Sequence, residues 1–545
     1  FVGRATGART GGQVVMAEAV PTRRRGRRAR IAEQAAPAPI AERPVWPGLV
    51  GGRYRPLDED DCARVHKTAL DLLENVGMAS ATPSVVDTVS AAGGWLSEAG
   101  RLHFPRSLVE DVIAKTRRSF VLPGQDPKHD MEIGGRRLFC GTGGAAPNVL
   151  DLESGSYRDA LLVDLYDFAR LVDTLDNIHF FWRPVVARDI PDPLELDLNT
   201  AYASMHGTSK HIGLSFTGGH NVKTAVEMFD VALGAEGAFR KRPFCSISCC
   251  HVVPPLCFAE ESCEALEMAV RLGMPALLLS AGQAGATSPA ALAGAVVQAV
   301  AEVLAGLVFV NLIDPECRAV FATWPFVSDL RTGAMSGGSG EQAVLMAAGA
   351  QMANYYDLPG SVAAGMADSK IPDAQSGGEK GYTIALASQA GASMVHESAG
   401  MQASLMGCSF ESMVIDNDHL GAIQRAVRGI EVTDETLSYE VIKEVVTTGP
   451  GHYLGHAQTL RGMHKDYFYP GVGDRSSPAE WEQSGSRDVR DRARDRVREV
   501  LATHYPRHLD PGFDQQVRAR FNIKLAREDM GLREDGGLRE DGGSA

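Results

Sequence analysis

The feature that most constrains the fold is a regular alternation of strand-like and helix-like segments that begins near residue 138. Eight short apolar runs are each followed by turn residues: LFCGTGGAAPNVLD, IHFFWRPVVARD, HIGLSFTGG, FCSISCCHVV, ALLLSAGQAG, RAVFATWPFV, GSVAAGMADS and ASMVHESAG. Amphipathic helical patterns fill the gaps, at residues 159–175, 221–234, 259–272, 289–311, 340–355 and 375–390. Eight repeats predict an α/β fold of the (β/α)8 TIM-barrel type. A doubly wound open sheet also fits, because alternation alone does not establish closure.

Segments on either side of the alternation predict additions to the barrel. The run at 58–76, DEDDCARVHKTALDLLENV, has apolar residues at helical spacing after an acidic first turn. After residue 408, FESMVIDNDHLGAIQRAVRGI and TDETLSYEVIKEVVTT are typical of helices. The predicted organisation has five parts: a disordered or extended segment over 1–54, a small helical and β layer over 55–137, the barrel over 138–408, a helical extension over 409–510 and a mostly disordered tail over 511–545.

Composition and charge narrow the kinds of partner. Of the 545 residues, 44% are hydrophobic and 22% charged, as in globular proteins. A formal net charge of -14 predicts that the molecule repels nucleic acid and anionic membrane surfaces, and suits a cationic ligand better. The longest apolar stretch, at 290–313, is interrupted by Gln298 and Glu302, which favours a buried helix over a membrane span.

The nine cysteines lie mostly inside apolar runs, without a preceding secretory apolar core. This pattern predicts reduced thiols and a cytoplasmic location. Cys245, Cys249 and His251 would share one face of a strand, as zinc ligands do. No CxxC pair or second His/Cys group lies at ligand spacing, so no bound metal is predicted.

The strongest functional signal comes from the residues at the carboxyl ends of the predicted strands, where barrel enzymes carry their catalytic groups. Aromatic and charged side chains recur at these ends: Trp182, Arg183, Phe216, Trp324, Phe326, Asp368, Lys370, His396 and Glu397. Aromatic faces attract cations, and nearby carboxylates deepen the same potential. The combination predicts a quaternary ammonium ligand. The alternative is that the aromatic side chains simply pack the interior layers of the barrel.

The stretch MADSKIPDAQSGGEKG, at 366–381, concentrates polar groups within apolar surroundings. We expect Asp368, at a strand end, to face the cavity and help hold the cation. Asp373 lies near the start of the next helix, where its charge suits the helix dipole. The alternative is that Lys370, Asp373 and Glu379 form a polar cluster that holds the loop.

Four blocks of sequence resemble the trimethylamine methyltransferase family of corrinoid-dependent methyltransferases. They are MSGGSGEQAVLMAAGAQMANYYDLP, ADSKIPDAQSGGEKGYTIALASQAGASMVHESAGM, LGAIQRAVRGIEV and GPGHYLGHAQTLRGMHKDYFYP, and the resemblance spans roughly residues 55–505. It implies a (β/α)8 barrel that passes a methyl group from an amine to the Co(I) of a separate corrinoid protein. The chain contains only the twenty standard residues, so it resembles the branch without pyrrolysine, whose members act on quaternary amines such as glycine betaine.

The resemblance assigns expected roles to the candidate residues. Asp368 and Glu397 are the candidate catalytic carboxylates. The alternative for Glu397 is that it orients His396 or a loop amide. Arg183 and Lys370 are candidate partners for a betaine carboxylate. The aromatic strand ends and His396 would bind substrate, and His452 and His456 would contact the corrinoid or cap the barrel mouth.

The chemistry of the leaving group favours a quaternary substrate. Loss of a methyl group from R–N(CH3)3+ releases a neutral amine, whereas trimethylamine would expel a poor amide leaving group. Two other functions fit the sequence: a different transferase or lyase reaction on the same scaffold, and a non-catalytic betaine-binding or corrinoid-partner protein. The corrinoid protein is the expected partner, and self-association into a homo-oligomer is a further expectation.

Overall fold

The computed structural model describes residues 43–532. Its centre is a curled nine-stranded sheet in which eight strands run parallel. We label these eight β1 to β8; they span Arg137–Cys140, Phe180–Trp182, His211–Leu214, Cys245–Cys249, Ala276–Ser280, Ala319–Thr323, Gly360–Ala363 and Met394–His396. Each overlaps one of the eight runs predicted to contain a strand, and only β1 begins outside its run, by one residue. Their order across the sheet is β1-β8-β7-β6-β5-β4-β3-β2, so the first and last strands along the chain are neighbours.

The two ends of this order, β1 and β2, also approach each other. Gly141 forms a parallel bridge with Phe180, and the backbone N–H of His179 donates to the carbonyl of Cys140 at 2.7 Å. The ninth strand, Leu49–Val50, pairs antiparallel with the beginning of β1. Residues 43–54 are the described part of the segment predicted to be disordered or extended.

Each parallel strand is followed by a helix. These helices, α1 to α8, span Leu162–Asp173, Pro193–Gly207, Gly219–Ala232, Glu260–Arg271, Leu292–Ile313, Gly340–Tyr355, Ala374–Gln389 and Phe410–Arg428. A short helix, Ala238–Lys241, lies between α3 and β4. The sequence prediction omitted α2, which is buried on nearly all sides and therefore shows no amphipathic period. It also assigned α8 to the extension, although α8 occupies the position of the eighth helix in the alternation.

The N-terminal layer explains why α5 is apolar all round. Three helices, Glu59–Asn75, Pro83–Ala91 and Arg106–Lys115, pack against it from outside. By length and hydropathy α5 could cross a membrane, but 83% of its most apolar window is buried inside the structure. This agrees with the interpretation as a buried helix. Glu302 is part of that core because its carboxylate accepts hydrogen bonds from Ser280, Gln298 and the backbone of Leu256. Two hairpins and a 3-10 turn complete the layer: Trp95–Leu96 with Leu102–His103, Phe120–Leu122 with Met131–Ile133, and Pro127–His129.

Short strands follow several of the parallel strands at their carboxyl ends. Met401–Gln402, Gly407–Ser409, Asn148–Leu150 and Tyr157–Asp159 form a four-stranded sheet, and Gln283–Ala284 pairs with Phe326–Val327. The remaining elements are helical: Tyr439–Thr447, Ala457–Lys465, Pro478–Gln483, Val489–Thr503, Pro511–Arg520 and the 3-10 turn Glu528–Met530. The last helix lies where disorder was predicted from residue 511. It is ordered because Val517, Leu525 and Met530 are buried and Tyr202 donates a hydrogen bond to Asp514.

Candidate active site

The structure brings three of the predicted residues, Trp182, Trp324 and His396, into one group of rings at the carboxyl ends of the strands. The imidazole of His396 lies 4.7 Å from the Trp182 ring, 4.7 Å from Phe180 and 5.2 Å from Trp324, measured between centroids. All four side chains are buried. We call these four residues the aromatic cluster. A Cβ atom at Gly213 would overlap the indole of Trp182, so the cluster requires glycine at this position of β3.

A hydrogen-bonded chain orients the imidazole. The indole N–H of Trp324 donates to Ser361 Oγ at 3.2 Å, and Ser361 Oγ lies 2.8 Å from His396 Nδ1. Within the described residues, His396 Nε2 and Trp182 Nε1 are buried without a hydrogen-bond partner. Burial, with a smaller contribution from His211, lowers the pKa of His396 to about 3, so the ring is neutral at physiological pH. The hydrogen-bonding capacity of these two buried ring atoms is therefore left unused by the described protein.

Glu397 is the most unusual ionisable group at the strand ends. Its side chain is only 3% exposed, and its backbone has φ of +59°, in the left-handed region that residues other than glycine rarely occupy. Its Oε2 atom is buried without a hydrogen-bond partner in the described chain. Burial raises the pKa of Glu397 to about 8, so the carboxyl group is largely protonated at neutral pH. Such a group is ready to ionise when a cation binds beside it.

Arg183 follows Trp182 at the end of β2 and is half-buried. Its Nε atom is buried without a hydrogen-bond partner in the part of the chain that the structure describes. Asp197 acts on it electrostatically, but that carboxylate is already bonded to Thr217 and Asn221. Burial lowers the pKa of Arg183, and the guanidinium still carries its charge because its ordinary pKa is so high. Its geometry suits an incoming carboxylate.

Asp368 is placed differently from the aromatic cluster. Its carboxylate accepts hydrogen bonds from Ser336 at 2.9 Å and Ser404 at 2.6 Å, which lie on two neighbouring loops. Lys370 is exposed, and its ammonium donates to the backbone carbonyl of Asp368. The structure therefore connects both residues to loop geometry and does not bring them into contact with the four rings.

The rest of the 366–381 stretch forms the loop-holding cluster considered as an alternative. Asp373 caps α7 by accepting from the backbone N–H of Ser376 at 2.9 Å. Glu379 accepts from the backbone N–H of Asp368 at 2.7 Å and from Gln375 at 2.7 Å.

Lys380, in the same stretch, is buried in an ion pair with Asp416 on α8, with Nζ and Oδ2 2.6 Å apart. The backbone N–H of Gly400 donates to the same Asp416 oxygen at 2.8 Å. The pair therefore also holds the turn that follows Glu397.

The remaining predicted residues lie further from the rings or outside the strand ends. Phe326 is buried 6.4 Å from Trp324, and Phe216 is buried at the end of β3. His452 and His456 lie in a C-terminal excursion, where the side chain of His456 caps the helix Ala457–Lys465. The structure does not bring these two histidines to the aromatic cluster.

The cysteine-rich strand shows no metal-ligand geometry. The thiol of Cys249 donates to the carbonyl of Ser262, and His251 Nε2 lies 2.9 Å from the carbonyl of Glu302 on α5. Both side chains thus contact the surrounding helices. The described residues contain no group of three or more His, Cys, Asp or Glu side chains that could hold a metal ion. All nine cysteines fall in this range, and none forms a disulfide.

Sequence reasoning missed Phe180, Ser361 and Gly213. Phe180 lies two residues before Trp182 and so shares its strand face, which is a signal that could have been used. Ser361 and Gly213 give no such signal, because their roles depend on which side chains the neighbouring strands place against them.

The sequence matches a family of methyltransferases. Residues 23–528 match the model for the trimethylamine methyltransferase (MTTB) family, and the chain belongs to that family. A trimethylamine methyltransferase of Desulfitobacterium hafniense (strain DSM 10664 / DCB-2) is 31% identical over 465 residues, covering 85% of this chain and 91% of the relative. That of Methanosarcina thermophila is 32% identical over 470 residues, covering 85% and 96%.

Glycine betaine methyltransferase of Desulfitobacterium hafniense (strain Y51) is also similar, at 28% identity over 469 residues, covering 86% of this chain and 96% of the relative. Among solved structures, the monomethylamine methyltransferase of Methanosarcina barkeri aligns with a TM-score of 0.45 and 11% identity, covering 83% of this chain and 89% of that one.

Proposed function

We propose that this protein transfers a methyl group from a quaternary amine of the glycine betaine type to the Co(I) of a separate corrinoid protein. Two observations carry the proposal: the aromatic cluster, and the buried, unpaired carboxyl group of Glu397, the residue that directly follows His396 in the chain. Family membership supports methyl transfer, and the site features support the choice of a cation that retains its charge at all pH values. The corrinoid supplies the nucleophile that accepts the methyl group.

We further propose that the parallel sheet closes into a (β/α)8 barrel. The bridge between Gly141 and Phe180 and the hydrogen bond from His179 to Cys140 support this closure. The candidate residues would then surround one end of the barrel, as catalytic groups do in this fold. The division of the chain into an N-terminal layer, a barrel and a helical extension is part of the same proposal, with Phe410–Arg428 counted in the barrel and Pro511–Arg520 in the extension.

The residues bind and orient the substrate and need not transfer a proton to it. The rings of Trp182 and Trp324 offer faces to the trimethylammonium group, and Glu397 ionises to become its counter-ion. Arg183 pairs with the substrate carboxylate. Because the leaving amine is neutral, neither a general acid nor a bound metal is part of the proposal. Exclusion of water and alignment of one methyl group remain the protein's contribution.

The proposal narrows the roles predicted for four residues. Asp368 sets the position of the loops around the mouth, because its carboxylate joins two neighbouring loops. Lys370 supports it by donating to the backbone carbonyl of Asp368 within the same loop. His452 and His456 are not assigned contact with the corrinoid. The cytoplasmic location and the corrinoid partner stay part of the proposal, supported by charge, cysteine usage and family.

The substrate class can be tested with a panel of amines and reduced free corrinoid. We expect methylcobalamin to form with one or more quaternary amines that carry a carboxylate, and not with trimethylamine, because only the quaternary amine leaves as a neutral molecule. Absorbance follows the reaction. Turnover of trimethylamine alone would contradict the assignment. Tight binding of a betaine without turnover, even with its corrinoid protein present, would instead indicate the non-catalytic alternative.

The contribution of the rings can be tested by Trp324→Ala. We expect the variant to bind its quaternary amine more weakly by about 1–2 kcal/mol, the range for a desolvated cation–π contact. Binding of the uncharged tert-butyl analogue should change much less. Calorimetric titration of both ligands measures the difference, and Trp95→Ala in the N-terminal hairpin is the matched control. Equal losses for the two ligands would show that Trp324 acts through packing.

A further inference from the structure

Ser361 is the middle of a hydrogen-bonded chain that crosses three neighbouring strands. Trp324 directly follows β6, Ser361 lies in β7 and His396 ends β8, and each of the three is at most 5% exposed. The register partner of His396 on β7 is Ala363, two residues beyond Ser361, so the serine and the imidazole project from the same face of the sheet. Ser361 therefore contacts the ring from the amino-terminal side of the strands.

The protons of this chain have a fixed direction. An indole N–H donates and never accepts, so Ser361 Oγ is the acceptor in its contact with Trp324 at 3.2 Å. The serine hydroxyl has one proton of its own, and within residues 43–532 the other hydrogen-bond partner of Oγ is His396 Nδ1, at 2.8 Å. A proton on Nδ1 would leave the serine proton buried without an acceptor, which is unfavourable. The hydroxyl therefore donates to Nδ1, and the imidazole proton is on Nε2.

A second histidine in the same sheet has the opposite arrangement. His211 Nδ1 lies 2.7 Å from the carbonyl oxygen of Pro123, which can only accept, so this nitrogen carries the proton. His211 Nε2 then accepts from the hydroxyl of Ser246 at 2.7 Å. The protein thus satisfies both ring nitrogens of His211. It satisfies only Nδ1 of His396 and leaves Nε2 buried without a partner in the described chain.

The unused Nε2–H of His396 belongs to a neutral ring. Burial, with a smaller contribution from His211, holds the pKa of His396 well below its ordinary value. The indole N–H of Trp182, whose ring centroid lies 4.7 Å from that of the imidazole, is likewise buried without a partner among the described residues. Both unused ring atoms are therefore uncharged donors. A ligand satisfies them only if it brings an acceptor atom.

We propose that Ser361 is a positioning residue that fixes His396 in the tautomer with its proton on Nε2, so that the ring donates to an oxygen atom of the bound ligand. In this role the serine acts through the imidazole. The tautomer belongs to the ligand-free protein and holds whichever amine is the substrate. The identity of the acceptor rests on the proposed function, in which the quaternary amine carries a carboxylate.

The tautomer can be measured by solid-state NMR of the full chain labelled with 15N at its histidine rings, without ligand. Bare and proton-bearing ring nitrogens resonate far apart, and the His396 signals are those that His396→Gln removes. We expect the proton on Nε2 in the wild type. Ser361→Ala should shift the tautomer ratio towards Nδ1–H by about 5- to 10-fold, the size expected for the loss of one hydrogen bond. Ser361→Thr, which keeps the hydroxyl, should retain the wild-type ratio.

The matched control is Ser246→Ala, which removes the same kind of hydroxyl from His211 and should leave the His396 signals unchanged. A wild-type His396 with its proton on Nδ1 would overturn the proposal, and this measurement needs no serine variant to fold. An unchanged tautomer ratio in Ser361→Ala would overturn it as well, because the serine would then not select the tautomer.

Calorimetric binding of two cations tests the donor. Glycine betaine carries carboxylate oxygens, whereas tetramethylammonium offers no acceptor atom. We expect Ser361→Ala to weaken binding of glycine betaine by about 5- to 10-fold and that of tetramethylammonium by less than about 2-fold, with Ser361→Thr close to the wild type. Equal losses for the two cations would overturn the proposal, because Ser361 would then support the pocket without directing a donor to the ligand. If the wild type binds neither cation, the proposed function fails, and the NMR result alone decides the role of Ser361.

Discussion

Replacement of Glu397 by glutamine is expected to stabilise the folded protein by about 3 kcal/mol at pH 7. The carboxyl group has a folded pKa of about 8, raised by burial from an ordinary value of 4.5. Below pH 4.5 the group is protonated in both the folded and the unfolded chain and costs no stability. As the pH rises from 4.5 through 8, the free energy of unfolding falls, because only the unfolded chain ionises the group readily. At pH 7 the unfolded chain gains from ionising the group while the folded chain keeps it protonated, and glutamine removes that difference. Denaturant unfolding at pH 5, 7 and 9 should show an advantage for the variant that grows with pH.

The same substitution should weaken binding of the quaternary amine and change its pH dependence. A cation next to Glu397 favours the ionised form, so wild-type protein should release a proton on binding and bind more tightly as the pH rises towards 8. The glutamine variant should bind more weakly above pH 8 and show no such rise. Calorimetry in two buffers of different ionisation enthalpy measures the proton released. Glu98→Gln, at an exposed position, serves as the control. Binding without proton release and with the same pH profile in both proteins would show that Glu397 does not face the cation.

Replacement of Lys380 by methionine is expected to destabilise the protein by about 3–5 kcal/mol. Lys380 and Asp416 are 1% and 3% exposed, so the variant leaves a buried carboxylate without its counter-ion. Burial alone would raise the pKa of Asp416, but Lys380, with a smaller contribution from His419, holds the pKa below its ordinary value. The loss should therefore be largest above the ordinary Asp pKa and should diminish in acid. Chemical denaturation at pH 4 and pH 7 measures it.

Two comparisons separate the ion pair from other effects at this position. The double variant Lys380→Met/Asp416→Asn should recover much of the lost stability, because the amide oxygen can still accept from Gly400 and no unpaired charge remains. Lys67→Met breaks an exposed ion pair with Asp71 in the N-terminal helix Glu59–Asn75 and should change the free energy of unfolding by less than about 1 kcal/mol. A loss as small for Lys380→Met as for Lys67→Met would show that the buried pair contributes little.

The alternation of segments was enough to predict the eight parallel strands, because each strand is a short apolar run bounded by turn residues. The same pattern did not predict α2, because a helix surrounded by protein has no polar face and its sequence therefore shows no amphipathic period. The ends of the strands could be read from the sequence as well, and three of the residues found there, Trp182, Trp324 and His396, do come together. Which further side chains join these three depends on the order of neighbouring strands, and a single sequence does not reveal that order.

Asp368 illustrates the limit for individual side chains. Its position after β7 was predicted correctly, and a carboxylate near a cation site suggested a role in binding. The serines that occupy its two oxygens lie 32 and 36 residues away along the chain, on separate loops. No sequence pattern connects residues that lie so far apart along the chain on separate loops. The role of Asp368 in joining these loops could therefore be seen only in the structure.

The absence of a side chain at Gly213 has a consequence for evolution. Trp182 occupies the volume that any larger residue on β3 would need, so these two positions cannot drift independently. A lineage that replaced Gly213 would first have to lose the indole, and with it one wall of the site. Within the family, the residue found at this glycine should therefore sort proteins that retain the tryptophan wall from those that have adapted their pockets to other molecules.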